Sequence, residues 1–165
     1  MLFRSVKAEP QLLEVGKAQV VQDFANNGQR KVALFGLGPM CAIARLAAVQ
    51  LAEEGFDVAV VNPRFTKPID AGLHEFFGRA AEVTVTMEDH VLMGGYGSAV
   101  LELFSEKGVT TPVVRIGWPD QFIEHASTQD ELRKKYGLSV ENTVARVKAQ
   151  FGEEAAKVTK LIEVV

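Results

Sequence analysis

Residues 86–102 read TMEDHVLMGGYGSAVLE, and the order of residue types here decides how the rest of the chain is arranged. Val83, Val85 and Met87 alternate with polar residues, the period-2 signature of a strand. Glu88, Asp89 and His90 follow as a charged turn, Gly94, Gly95 and Gly97 as a glycine hinge, and an apolar helix opens at Ser98. In an open parallel sheet such loops lie at the carboxyl ends of strands, where ligands and partners are met. The stretch has no phosphate-loop lysine, no metal-ligand spacing and no serine elbow.

Strand–turn–helix units recur on either side of it. Upstream, residues 12–17 and 18–24 read as short extended segments, and Asn26, Asn27 and Gly28 turn the chain into a strand over 31–37. That geometry predicts an edge strand antiparallel to the first core strand. Gly38 and Pro39 open a helix over 40–54 whose Ile43, Leu46, Ala47, Val49 and Leu51 leave almost no polar face, the pattern of a helix covered on several sides. A second core strand is predicted over 57–61, a proline-stiffened loop over 62–68, and a short helix from Ile69 through Phe77.

Downstream, Ala99, Val100, Leu103 and Phe104 share a helix face, and 112–116 form a fourth strand. Residues 117–127 read as a long loop. Thr128 with Glu131 three residues on gives a capping box, and Ser139 caps a last helix packed on the sheet through Val140, Val144, Val147 and Phe151. The alternation predicts an α/β fold: a three-layer sandwich with a mostly parallel sheet and one antiparallel edge strand. Residues 1–11 read as an arm or linker, 12–152 as the domain, and 153–165 as a terminal extension.

Composition narrows the function classes. At 165 residues the chain suits one domain, and a net charge of -3 without a basic stripe argues against nucleic acid. One cysteine, Cys41, excludes an internal disulfide framework and favours a reducing cytoplasm. No run reaches the roughly 18 apolar residues that span a bilayer, which argues against a membrane partner.

Gly36-Leu37-Gly38 after a strand raises a dinucleotide fingerprint, but Cys41 occupies the third glycine position and Asn62 replaces the ribose-binding acid. Gly94, Gly95 and Gly97 either relieve a tight turn and let helix approach sheet, or bring backbone amides to a small anion. His90 beside Glu88 and Asp89 is either a proton relay or a hydrogen-bonded loop histidine. Glu124-His125 reads as a loop anchor, Trp118 as packed at the sheet edge or as an interface anchor, and His74 carries no assigned role. Met93 and Tyr96, with Val91 and Leu92, give the hinge an apolar set suited to a protein contact.

Taken together, LEVGK at 13–17, NPRFTKPID at 62–70, EDHVLMGGYGSAVLE at 88–102, and GWPDQFIEHAS with the following LRKKYGLS resemble the C-terminal, transketolase-type domain of 1-deoxy-D-xylulose-5-phosphate synthases. The pieces occur in the family's order from about Leu12 to Phe151, and Asn62-Pro63 departs from the DAR common in that loop. The resemblance implies a full-length enzyme that uses thiamine diphosphate and magnesium to decarboxylate pyruvate and join the two-carbon unit to glyceraldehyde 3-phosphate. It implies the rest of the synthase polypeptide and a homodimer as partners, with the catalytic centre in domains absent here. No catalytic, cofactor-binding or metal residue is therefore carried over. Glu88, Asp89, His90, Met93, Gly94, Gly95, Tyr96 and Gly97 stand as an interface or anion-binding loop. The alternative is a free-standing transketolase-type domain that binds a small anion or a protein partner in regulation.

Overall fold

The computed structural model describes residues 12–125 and 127–152. Five strands, β1 (Gln19–Gln22), β2 (Arg30–Gly36), β3 (Phe56–Asn62), β4 (Val83–Val91) and β5 (Val113–Trp118), form one sheet in the order β1-β3-β2-β4-β5. β2, β3, β4 and β5 pair in parallel, and β1 is the antiparallel edge strand. The helices are α1 (Met40–Glu53), α2 (Ala71–Ala80), α3 (Tyr96–Lys107), α4 (Gln129–Lys135) and α5 (Val140–Gln150). This is the expected α/β three-layer sandwich.

Strand alternation divides the core between two faces. Val32, Leu34, Val58, Val60, Val83, Val85 and Met87 pack under α1 and α5 with Ala44, Leu51, Val144 and Val147. Ala33, Phe35, Ala59 and Val61 face the other way, against Phe77 of α2 and Tyr96, Val100 and Phe104 of α3. Both faces are covered, which is why β2 and β3 read as nearly unbroken apolar runs.

The capping expectations hold. Thr128 and Glu131 form a reciprocal capping box at α4, and the Ser139 side chain accepts from Asn142 N–H at α5. Other expectations are corrected. β1 lies against β3, not β2, because Gln19 and Val20 register with Asn62 and Val61. Residues 12–17 contain a turn, with Lys17 N–H donating to Glu14 C=O at 3.2 Å, rather than an extended segment. α1 is buried on one face only, and Leu46 and Val49 on its outer side are exposed. α2 runs on to Ala80, since Arg79 in its last turn is held by Glu75 and by the carbonyls of Lys107 and Gly108. The charged turn is strand: β4 continues through Glu88, Asp89 and His90 to Val91. α3 starts at Tyr96 rather than Ser98, and Gly117 and Trp118 belong to β5 rather than to a loop. The arm at 1–11 and the extension at 153–165 lie outside the described residues.

The doubly covered sheet generates a stability prediction. Leu34 is fully buried at the centre of β2, and Leu34→Ala should cost about 2–5 kcal/mol in a urea titration. A loss within about 0.5 kcal/mol, the range of surface substitutions, would mean that this layer is not close-packed.

Candidate functional site

Continuation of β4 past Met87 sends consecutive acids to opposite faces of the sheet. Glu88 follows Thr84 and Thr86 onto the α3 side and is buried, 1% exposed. Its carboxylate accepts from Tyr96 N–H at 2.6 Å and Gly97 N–H at 2.9 Å, the first free amides of α3. The N-cap residue Gly95 has no side chain to cap this helix, so the neighbouring strand supplies the acceptor. Negative charge at a helix N-terminus is favoured by the helix dipole, and charge-assisted bonds to amides are stronger than neutral ones.

This arrangement explains the hinge glycines. A Cβ at Gly95 would strike the Glu88 carboxylate and lie 2.5 Å from Val91 O, and one at Gly97 would lie 2.6 Å from Thr86 Oγ1. Gly94, at φ +68°, makes the turn itself. The glycines serve close approach of α3 to β4, and the anion place at that helix start is filled by Glu88.

Tyr96 points inward. Its hydroxyl lies 2.7 Å from His74 Nε2, while His74 Nδ1 lies 2.7 Å from Asp70 C=O. A carbonyl only accepts, so Nδ1 carries the proton and Nε2 accepts from the tyrosine hydroxyl. Burial holds His74 below the ordinary histidine range despite the raising effect of the Asp70 carbonyl and charge. Burial, and then the Glu88 charge, push the Tyr96 hydroxyl well above the ordinary tyrosine value. Asp70 caps α2 through Leu73 N–H at 3.2 Å and accepts from Ala18 N–H at 3.0 Å. One chain of bonds therefore ties residue 18, α2, α3 and β4 together. His74, given no role from the sequence, is fully buried and stacked on Phe35 at 4.7 Å. Its signal was its place three residues before buried Phe77, on the inward side of α2.

Asp89 faces the opposite layer. It pairs with Arg133 Nη2 at 2.5 Å and accepts from Trp118 Nε1 at 2.8 Å, and Trp118 packs on Tyr136 at 5.7 Å. Trp118 is thus packed within the domain and fastens α4 to the end of β5. Burial pushes the Asp89 carboxyl up, but hydrogen bonds from Arg133 and Trp118 more than offset this and hold it below the ordinary range. His90 is exposed with Nδ1 3.1 Å from Val91 O, so no proton relay with its two acidic neighbours is assembled. Glu124 pairs with Lys135 at 2.5 Å, and His125 is exposed.

Of the eight loop candidates, Glu88, Gly95, Tyr96 and Gly97 are buried inside the domain and Asp89 is half-buried. His90, Met93 and Gly94 remain exposed, beside half-buried Leu92. Phe122, in the next loop at the same end of the sheet, is fully exposed. Among the described residues no three His, Cys, Asp or Glu side chains converge to hold a metal ion. No described helix is long and apolar enough to cross a membrane. The switch point between β2 and β4 is closed by Leu37 N–H donating to Met87 C=O at 2.9 Å.

With this geometry in place, three comparisons bear on the chain. The family described as "Transketolase, C-terminal domain" matches residues 16–143. The chain is 47% identical over 140 residues to the 1-deoxy-D-xylulose-5-phosphate synthase of Methylacidiphilum infernorum, covering 85% of this chain and 21% of that protein. It is 44% identical over 143 residues to the enzyme of the same name from Acidobacterium capsulatum, covering 87% and 22%. The chain therefore spans about a fifth of the length of these relatives. Among solved structures it resembles "Split gene transketolase, inactive beta4 tetramer", with a TM-score of 0.73 and 35% identity, covering 86% of this chain and 43% of that one.

Two predictions arise from this geometry. Glu88→Ala leaves two buried amides without an acceptor and should cost about 1–3 kcal/mol, and inorganic phosphate should then raise the Tm of the variant but not of the parent. A phosphate-induced rise in the parent would show that the carboxylate does not fill the site. For Asp89 the folded pKa is depressed, so its stabilisation is complete above the unfolded value of about 3.9 and lost as pH falls through the folded value. The stability gap between parent and Asp89→Asn should therefore be constant near neutrality and close only below that range; a gap independent of pH would refute the ion pair.

Proposed function

Because the chain belongs to the transketolase C-terminal domain family, we propose that it is the C-terminal domain of a thiamine-diphosphate-dependent 1-deoxy-D-xylulose-5-phosphate synthase. On this reading residues 12–152 are the structural unit, and the whole enzyme is a cytoplasmic homodimer. It would convert pyruvate and glyceraldehyde 3-phosphate to 1-deoxy-D-xylulose 5-phosphate and carbon dioxide. The observation that carries the reading is 47% identity over 140 residues to a named synthase of which this chain corresponds to a fifth.

The described residues do not fit thiamine diphosphate or its magnesium. They offer no converging ligand set, and the amides of α3 that would suit a diphosphate are already bonded to Glu88. The domain's part in the enzyme is accordingly to assemble it. The exposed rim at the carboxyl ends of β4 and β5, with His90, Met93, Gly94 and Phe122, is the surface offered to the rest of the polypeptide or to the second subunit. Covering Met93 and Phe122 fully would contribute about 1.5–3 kcal/mol each, enough to anchor a contact that the flanking charges orient. The regulatory, anion-binding alternative is disfavoured by the self-occupied helix start.

Titration calorimetry of this chain with thiamine diphosphate and magnesium should give no saturable heat, and saturable heat at micromolar cofactor would mean that a cofactor site exists here. In the full-length synthase, Met93→Asp with Phe122→Asp should weaken the dimer in sedimentation and lower activity only in proportion to lost dimer. Collapse of turnover with the dimer intact would instead assign the rim to the active site.

A further inference from the structure

His74 is a buried titratable group that assembly of the enzyme does not use, and every element packed against it selects the neutral ring. From its own helix, the Asp70 C=O stands 2.7 Å from Nδ1 and takes the one ring proton. From α3, the Tyr96 hydroxyl stands 2.7 Å from Nε2 and donates to it. From β2, the Phe35 ring stacks on the imidazole with centroids 4.7 Å apart. Two acids lie behind these contacts, and both are bonded elsewhere. The Asp70 carboxylate accepts from Leu73 N–H and Ala18 N–H, and the Glu88 carboxylate of β4 accepts from Tyr96 N–H and Gly97 N–H.

A second proton on the imidazole has only Nε2 to occupy. It turns that nitrogen from acceptor to donor, so that Nε2–H and the Tyr96 O–H face each other and the hydroxyl proton loses its acceptor. Among the described residues the Tyr96 hydroxyl has no other hydrogen bond. The new charge also sits in a fully buried place with no carboxylate bonded to it, where burial disfavours it more than the Asp70 charge favours it. Both costs disappear once the ring reaches water. The bond at stake joins two elements, since His74 belongs to α2 and Tyr96 is the first residue of α3. The start of α3 in turn holds the tight turn before it, with Ser98 Oγ donating to Leu92 C=O at 3.0 Å.

We propose that the His74–Tyr96 bond is an acid-sensitive latch between α2 and the start of α3, closed while the imidazole is neutral and released by its protonation. The closed form resists the proton, and the open form, with the ring in water, takes it up at the ordinary histidine value of about 6.5. Opening therefore binds one proton below that pH. The stabilisation from the latch is complete above about 6.5 and is lost as pH falls from there toward the depressed folded value, the open population rising about tenfold per pH unit.

Native-state hydrogen exchange on the full chain between pH 7.5 and 5.5, corrected for the intrinsic rate, tests it. The amides of Tyr96 and Gly97 should open far more often than that of Leu34 in β2, and their opening constants should rise about tenfold per pH unit below 6.5. In His74→Gln, whose side chain donates to Asp70 C=O and accepts from Tyr96 but takes no proton, the rise should vanish. Equal pH dependence in parent and variant would overturn the latch, as would α3 amides that exchange no faster than Leu34 at any pH. Imidazole NMR on the parent alone gives a second reading that needs no variant. His74 titrating at or above 6.5 with the Tyr96 and Gly97 amide signals unmoved would overturn it equally.

Discussion

The carboxylate of Glu88, buried on the α3 face of the sheet and bonded to the first two amides of α3, is the constraint on which the carboxyl end of the sheet depends. A helix start carries amides that need acceptors, and Gly95 cannot provide one. The strand provides it instead, which fixes α3 against β4 to within a hydrogen-bond length and forbids side chains at Gly95 and Gly97. The same contact brings Tyr96 into the core, where its hydroxyl meets His74 and through it the cap of α2. Removing a single partner would leave the groups bonded to it buried and unpaired, which costs more than the bond itself contributes.

Asp89 performs the matching task on the other face. Its contacts with Trp118 and Arg133 fasten β5 and α4 to the end of β4, across the sheet from the Glu88 network. Two acids adjacent in sequence thus secure two separate layers, and both are consumed in doing so. At the β2–β4 switch point Leu37 N–H donates to Met87 C=O, so a backbone bond joins the two strands there as well. What remains outward at this rim is His90, Met93 and Gly94, with Phe122 in the next loop.

Much of this was legible in the sequence for physical reasons. Core strands such as β3 are short, β-branched and apolar because both faces are covered, and the caps at Thr128 and Ser139 are written in residue types that accept from their own helix. The ordered motifs also pointed to the transketolase-type domain that the family match bears out over residues 16–143. The candidate site was legible in position but not in role. The stretch 88–97 was singled out as a loop, yet its first four residues are strand and half of its candidates are buried.

The sequence by itself determined the alternation of strands and helices and the mostly parallel α/β class, because periodicity, capping and glycine placement are local properties, and its ordered motifs carried the resemblance to the family. Tertiary structure alone decided that β1 lies beside β3, that Glu88 and Asp89 part to opposite faces, that His74 reaches Tyr96 across 22 residues, and that the outer side of α1 is exposed. Each of these depends on which element stands next to which. A carboxylate in a charged run reads alike whether it meets water or the amides of a helix that starts eight residues later, and only the packing of α3 on β4 selects between them.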